Sequence, residues 1–575
     1  MGYLKEYKNW LLSDYFDEKT KEELQKIEDD EAEIEDRFYK DLEFGTGGLR
    51  GKIGAGTNRI NKYTVRKATQ GLANYIINYI DGGKEKGVVV AYDTRHYSQE
   101  FAREVGKVMA GNGIKTYLFS EICPVPLLSF AVRELEAATG VVITASHNPP
   151  EYNGYKVYGE DGGQVVPEKA RKITAEIEEI DDFSLVKTLS EKEARDQDLL
   201  VSIGKEVKEK YFDEILKVLP DTQLPAESDD FSILYTPLHG TGYRPVTELL
   251  EKLGFSFSVV AEQAEPDPEF STVDSPNPEN FSAFELALKK AKKSNPDLIM
   301  GTDPDCDRLG VVVKDDSGQY MALTGNEAGV LMLDYLLNRL ELPENAVVIK
   351  TIVTTEMARV IAEDFNVELQ EVLTGFKYIG EKIEEYKQQG DREFIFGFEE
   401  SYGYLAGTYT RDKDGVEAAA LFALMALYHR QQGSSVVGRL QELKEKYGYF
   451  EESLESIYME GKQGRQQIEK LLNVLREEKS EQIAGQNVVS LSDYREGLKV
   501  NNKTGKKVEL KLPQSDVLQY FLEDDSVITI RPSGTEPKLK IYFSVREKSA
   551  LGASDKIEKL EETFMQEIKD MLENI

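Results

Sequence analysis

Asp303, Asp305 and Asp307 stand at alternate positions in a tight loop flanked by two apolar runs, 299–300 and 309–313. Three carboxylates so close together repel one another and are costly without a counter-ion. A divalent cation supplies one. An EF-hand needs glycine at loop position six and glutamate at twelve, and Arg308 and Lys314 occupy those positions here. Three protein ligands leave a cation open to a phosphoryl oxygen, which suits Mg2+. The bland alternative is an acidic surface turn. The second stretch of interest is Thr144-Ala145-Ser146-His147-Asn148-Pro149, which follows the apolar run 140–143. That run reads as a buried strand. A serine and a histidine therefore sit on the turn leaving it, where α/β sheets bind ligands. Asn148-Pro149 is also an ordinary turn signal.

Three further loops carry groups suited to a phosphorylated polyol. Residues 44–51 form a glycine-rich loop with one arginine, Arg50. Glycines let a backbone approach a phosphate, and arginine grips it bidentately. Residues 531–537 place Arg531, Ser533, Gly534 and Thr535 in one turn between two strand-like runs, which looks like a phosphate cradle. Residues 374–377 and 397–403 set polar side chains between glycines and can present hydroxyl and carboxylate groups. Each loop alone also fits a plain turn.

The elements that must hold these loops repeat one grammar: apolar strand, polar loop, helix. It occurs at 88–98, at 233–237 and at 347–351, which suggests three α/β units in series. Residues 1–40 are charged and helix-periodic, with Trp10, Leu11, Leu12, Tyr15 and Phe16 as an apolar patch. They read as a helical extension packed on the first domain. A long polar helix is expected near 463–480, and strands at 528–530 and 539–543.

At 575 residues the chain is too long for one core. Its 104 acidic and 71 basic residues give a net charge of −33, so nucleic acid and anionic membrane are poor partners. An anionic substrate must be held by local basic residues. Cys123 and Cys306 provide no disulfide framework, which points to a reducing compartment. Neither a signal-peptide core nor a run of membrane-spanning length is present in the sequence, and a cytoplasmic location is expected.

Taken in order, TGGLRG, TASHNPPEYNGYK, DPDCDR, TGFK, GFEESYG and RPSGTEPK resemble the α-D-phosphohexomutase superfamily. The resemblance is to its phosphoglucomutase branch, which includes phosphopentomutase-like enzymes, and it covers nearly the whole chain. It implies an α/β fold, with three related α/β domains around a central cleft and a smaller C-terminal α+β domain. The expected spans are 1–205, 206–322, 323–455 and 456–575. By resemblance Ser146 is the phosphoserine, with His147 beside it. Mg2+ is held by Asp303, Asp305, Asp307 and a phosphoserine oxygen. Arg50, Lys156 and Arg308 lie near the reacting phosphoryl group. Glu399 and Ser401 contact the sugar. Arg531, Ser533, Gly534 and Thr535 hold the distal phosphate, with Lys540 where relatives often have arginine. Thr374, Gly375 and Lys377 help read sugar orientation. Phe376 replaces a histidine found in some relatives, and Lys377 is the candidate general acid/base.

The implied activity interconverts glucose 1-phosphate and glucose 6-phosphate through glucose 1,6-bisphosphate, with phosphopentomutase and phosphomannomutase as alternatives. Small sugar phosphates are the expected partners. A serine hydrolase would need G-x-S-x-G, and Thr144 and Asn148 replace both glycines. A metal-dependent phosphatase would not need the sugar loops or the distal cradle. A sugar-phosphate sensor would be expected to have a damaged serine or metal loop, and both are intact.

Overall fold

Continuous β-branched runs such as 88–92 and 139–143 have no polar face, so they are stable only when covered on both sides. The computed structural model places both as fully buried parallel strands, Val88–Tyr92 and Thr139–Ile143. It describes residues 2–45, 47–227, 231–315, 317–459, 461–477, 481–533 and 538–574. Two compact units result: Met1–Val347 with Gly375–Ser435, and Val348–Thr374 with Val436–Ile575.

The first unit holds two mixed sheets. One has six strands in the order Gly48–Lys52, Tyr152–Tyr158, Thr139–Ile143, Val88–Tyr92, Thr116–Phe119, Leu200–Ile203. Its last four strands are parallel, and Tyr152–Tyr158 pairs antiparallel on both sides. The other has five strands, with Leu298–Thr302 and Leu309–Lys314 as an antiparallel pair carrying the aspartates in its connection. The hairpin Glu393–Glu399 with Gly403–Ala406 also belongs to this unit.

Two expectations need correcting. The glycine-rich stretch is only partly a loop, because Gly48–Lys52 is an edge strand paired with Tyr152–Tyr158. Gly48 makes that pairing possible: at φ +126 a Cβ there would lie 1.8 Å from the Tyr155 carbonyl oxygen. In the N-terminal helices Gly2–Leu12, Glu18–Gln25 and Glu31–Phe38, Trp10 and Phe16 pack with Tyr7, Phe38 and Tyr63. Leu12 does not join them and is 82% exposed, since it closes its helix on the solvent side.

The second unit contains an eight-stranded, wholly antiparallel sheet. Helices Gly461–Glu477 and Ala550–Asn574 share its apolar core with Leu518, Ile528, Ile530, Leu539 and Ile541. Strand alternation therefore turns Thr529, Arg531, Lys540 and Tyr542 to the other face. Ala346–Thr351 and Glu368–Val372 are further strands, with helix Met357–Asp364 between them. Among the described residues no helix is long and apolar enough to cross a membrane.

Candidate functional site

The serine turn leaves the C-terminal end of Thr139–Ile143 with Ser146 in the left-handed region, φ 53. Such a conformation costs a non-glycine residue about 1–3 kcal/mol and persists only where its surroundings impose it. Thr144 is one such constraint. Its hydroxyl accepts from the Ser146 N–H at 2.9 Å and donates to Asp305 Oδ2 at 3.2 Å. Gly154 lets the neighbouring strand approach, since a Cβ there would lie 2.4 Å from the Thr144 carbonyl oxygen. The result aims Ser146 Oγ at the aspartate loop, 3.0 Å from Asp303 Oδ2 and 3.2 Å from His147 Nδ1.

Asp303, Asp305 and Asp307 are buried and offer ligand atoms within 4.8 Å of one another. Two lysines face them. Lys156 Nζ lies 2.8 Å from Asp305 Oδ2 and 3.8 Å from Asp307 Oδ2, and Lys413 Nζ lies 2.8 Å from Asp307 Oδ2. Burial and the two neighbouring carboxylates push Asp303 well above the usual carboxylate range. Burial also acts on Asp305, but Lys156, a hydrogen bond with Asp303 and Lys413 outweigh it and hold that group low. Burial and Asp305 raise Asp307 against the two lysines. Two oxygens, Asp305 Oδ1 and Asp307 Oδ1, are buried with no hydrogen-bond partner. Hard carboxylate oxygens left with unused lone pairs fit a divalent cation such as Mg2+.

Arg50 donates to Asn148 Oδ1 at 3.1 Å. Arg308 pairs with Glu279, and its Nε lies 3.9 Å from Asp307 Oδ1. Burial, with Arg308 and Arg50 nearby, pushes the His147 imidazole well below its ordinary value. Glu399 closes its strand almost fully buried, and burial pushes its carboxyl up to about 7. Ser401 lies in the turn that follows. The strained residues Cys306 and Tyr402 sit in the aspartate loop and in this turn, at φ 53 and 63. The two loops touch, because Leu309 N–H donates to the Tyr402 carbonyl oxygen at 3.1 Å.

Comparison with known proteins matches four consecutive domain profiles. Phosphoglucomutase/phosphomannomutase alpha/beta/alpha domains I, II and III match residues 41–183, 209–318 and 324–447, and the C-terminal domain matches 471–556. A phosphoglucomutase of Staphylococcus epidermidis is 37% identical over 93% of this chain and 94% of its own length. The chain belongs to the α-D-phosphohexomutase superfamily.

Two solved structures share the superfamily fold. Parafusin (phosphoglucomutase) from Paramecium, in its open form, has TM-score 0.68 at 18% identity, covering 93% of this chain and 95% of its own. Aspergillus fumigatus N-acetylphosphoglucosamine mutase, solved with GlcNAc-6P and magnesium, has TM-score 0.50 at 13% identity, covering 91% and 96%. The expected fold, three α/β/α domains and a C-terminal domain with an antiparallel sheet, is the one found.

The first unit thus brings together Ser146, His147, Lys156, Arg308 and the three aspartates, with Arg50 on the serine turn through Asn148. Lys377 follows Gly375 in the first turn of helix Phe376–Gln389. It lines a cavity of about 790 Å3 with Arg133, Gln164, Lys169 and Glu381, whose walls include neither Ser146 nor the aspartates. Thr374, Arg531, Ser533 and Lys540 belong to the second unit. There Arg531 stands directly opposite Lys540, and Ser533 N–H closes the hairpin on the Lys538 carbonyl oxygen at 2.8 Å. Gly534 and Thr535 lie outside the described residues.

Lys413 escaped the reading of the sequence. Its only local signal is a lysine between two aspartates, Asp412 and Asp414, just before the helix Gly415–Gln431. Gly403 leaves room for its stem, as a Cβ there would lie 2.4 Å from Lys413 Cδ.

Proposed function

We propose that this chain is a phosphoglucomutase that interconverts glucose 1-phosphate and glucose 6-phosphate through a phosphoserine at Ser146 and glucose 1,6-bisphosphate. The observation that carries this reading is the Ser146 hydroxyl 3.0 Å from Asp303 inside a buried, lysine-flanked carboxylate cluster. The full-length likeness to a phosphoglucomutase supports the choice of sugar.

In this reading the phosphoryl on Ser146 Oγ is given to the free hydroxyl of the bound sugar phosphate, making the bisphosphate. The bisphosphate turns over and returns its other phosphoryl to the serine. The Oγ–P bond breaks as the sugar O–P bond forms, and the reverse in the second half. Phosphoryl transfer depends mostly on positioning and charge neutralisation. Lys156, Arg50 and Arg308 stabilise the phosphoryl oxygens, and Lys413 holds Asp307 in place. His147 hydrogen-bonds at Oγ. Asp303, Asp305 and Asp307 would hold Mg2+, which when bound supplies further neutralisation of charge on the phosphoryl oxygens. Glu399 and Ser401 orient the sugar hydroxyls. Arg531, Ser533 and Lys540, with Gly534 and Thr535, receive the phosphate at the far end in either orientation. Thr374 and Gly375 contribute the loop that reads sugar orientation, and Lys377 within it is the proposed proton carrier. A cytoplasmic enzyme working on sugar phosphates is consistent with the acidic, cysteine-poor composition.

A coupled assay over glucose-, mannose- and ribose-1-phosphate, with and without glucose 1,6-bisphosphate, tests the reading. The expected ranking by kcat/KM is glucose, then mannose, then ribose, because a site built to hydrogen-bond a hydroxyl penalises its absence. A higher kcat/KM for ribose 1-phosphate would make the chain a phosphopentomutase instead.

A further inference from the structure

Arg95 lies in none of the loops assigned above, yet its side chain is bound to the serine turn at four points. Its Nη2 donates to the carbonyl oxygens of Ser146 and Asn148, each at 2.5 Å. Its Nη1 donates to those of Pro149 at 2.8 Å and Tyr152 at 3.1 Å. The guanidinium is buried, with Nε 3.3 Å from Asp93 Oδ2. Asp93 is itself fixed by the Arg95 N–H and the Ser98 hydroxyl.

The guanidinium also lies over the ring of Phe270, 5.0 Å from its centroid. Phe270 is buried and held in the left-handed region at φ 50, a costly conformation for a bulky residue. His239 anchors its segment, with ring nitrogens on the Glu265 carbonyl oxygen and the Thr272 hydroxyl. Two residues later, Thr241 donates through both its N–H and its hydroxyl to the Pro304 carbonyl oxygen in the aspartate loop. Hydrogen bonds, short stretches of chain and one ring contact therefore run from the aspartate loop to the serine turn: Pro304 to Thr241, His239 two residues away to Glu265 and Thr272 on either side of Phe270, and Phe270 to Arg95.

We propose that Arg95, seated on Phe270, is a positioning residue that fixes Ser146 Oγ in register with the aspartate loop. This rests on the assignment of Ser146 as the phosphoryl carrier. Four carbonyls converging on one planar fork need guanidinium geometry, and a lysine ammonium cannot reproduce it. A displacement of about 1 Å at a reacting group is worth on the order of 100-fold in rate. The turn's own left-handed serine gives it a direction in which to relax once the clamp is gone.

The test compares wild type, Arg95→Lys and Phe270→Leu in kcat, KM, melting temperature and the fraction of Ser146 phosphorylated after incubation with glucose 1,6-bisphosphate. In Arg95→Lys we expect kcat to fall about 100-fold with KM changed less than about threefold, and phosphoserine to accumulate more slowly. Phe270→Leu keeps the apolar seat but not the π face. It should show the same split with a fall of about tenfold, and it carries the test alone if Arg95→Lys does not fold. Unchanged kcat and unchanged phosphorylation kinetics in a folded variant overturn the clamp while leaving the carrier assignment intact. A loss of activity fully accounted for by less folded protein also overturns it. No phosphoryl uptake at Ser146 by the wild type overturns the carrier assignment, and this inference with it.

Discussion

Two clusters in this chain set carboxylates against basic side chains and balance them differently, one buried and the other buried only at Lys350, its glutamates and arginine standing about a third exposed. In the first unit, Asp303, Asp305 and Asp307 face Lys156 and Lys413, three carboxylates against two ammonium groups. In the second unit, Glu356 and Glu371 face Lys350 and Arg359, two against two, at 2.7 to 3.0 Å. The balanced cluster also bonds Lys350 Nζ to the Thr351 and Thr354 carbonyl oxygens, so it is complete as it stands. The unbalanced one leaves two buried carboxylate oxygens without a hydrogen-bond partner, with Arg308 Nε 3.9 Å from one of them. A buried group without a partner is expensive. Beside a strained serine, such a group fits a place where a cation could complete the structure.

The largest way to break this contrast is Ser146→Ala. It removes the proposed carrier, and mutase activity should fall to about 10⁻⁴ of wild type or less in the coupled assay. Asp305→Asn should come next. It leaves the loop one charge short, and activity at low Mg2+ should drop by about 100-fold, partly regained at high Mg2+. Turnover unaffected by a chelator would make the aspartate loop structural.

Most of this site was legible because its loops are local. Alternating aspartates and a serine on a strand exit each announce themselves within a few residues. The buried strands Val88–Tyr92 and Thr139–Ile143 were legible for a similar reason, as continuous apolar runs. Lys413 and Arg95 were not, because each acts only through tertiary contacts with residues far away in sequence. Gly48–Lys52 was misread as loop because Gly45, Gly47, Gly48 and Gly51 so close together look like a turn, whereas Gly48 is what lets an edge strand close on Tyr155.

Lys413 sharpens the contrast further. Its side chain is 13% exposed and that of Asp307 1%, so Lys413→Met strands a buried carboxylate. Breaking such a pair costs about 3–5 kcal/mol. The variant should melt lower than wild type and regain more of that loss than wild type gains when Mg2+ is added, read by thermal unfolding. Equal responses to Mg2+ would place the cation elsewhere.

Arg531→Ala is smaller and different in kind. The residue stands opposite Lys540 on the strand face turned away from the apolar core of its sheet. KM should rise about tenfold with a lesser fall in kcat, since remote binding energy also orients the reacting hydroxyl.

The smallest effect concerns the balanced cluster. Burial raises the Glu356 carboxyl, but Lys350 and Arg359 outweigh it and bring it from 4.5 down to about 2. A carboxylate depressed in the folded state adds stability above its unfolded value and loses it as pH falls through the folded one. The second unit should therefore weaken between about pH 4.5 and 2, and Glu356→Gln should show a shallower decline and converge with wild type at the acid end. Parallel pH curves would mean the cluster does not hold the unit together.

Phosphopeptide mapping after incubation with glucose 1,6-bisphosphate and Mg2+ tests the central claim most directly. The account predicts one phosphoryl group per chain on the peptide bearing Ser146, discharged on adding glucose 1-phosphate or glucose 6-phosphate and absent in Ser146→Ala. A wild-type enzyme that turns over with no phosphoryl at Ser146, or a Ser146→Ala variant with full mutase activity, would contradict it.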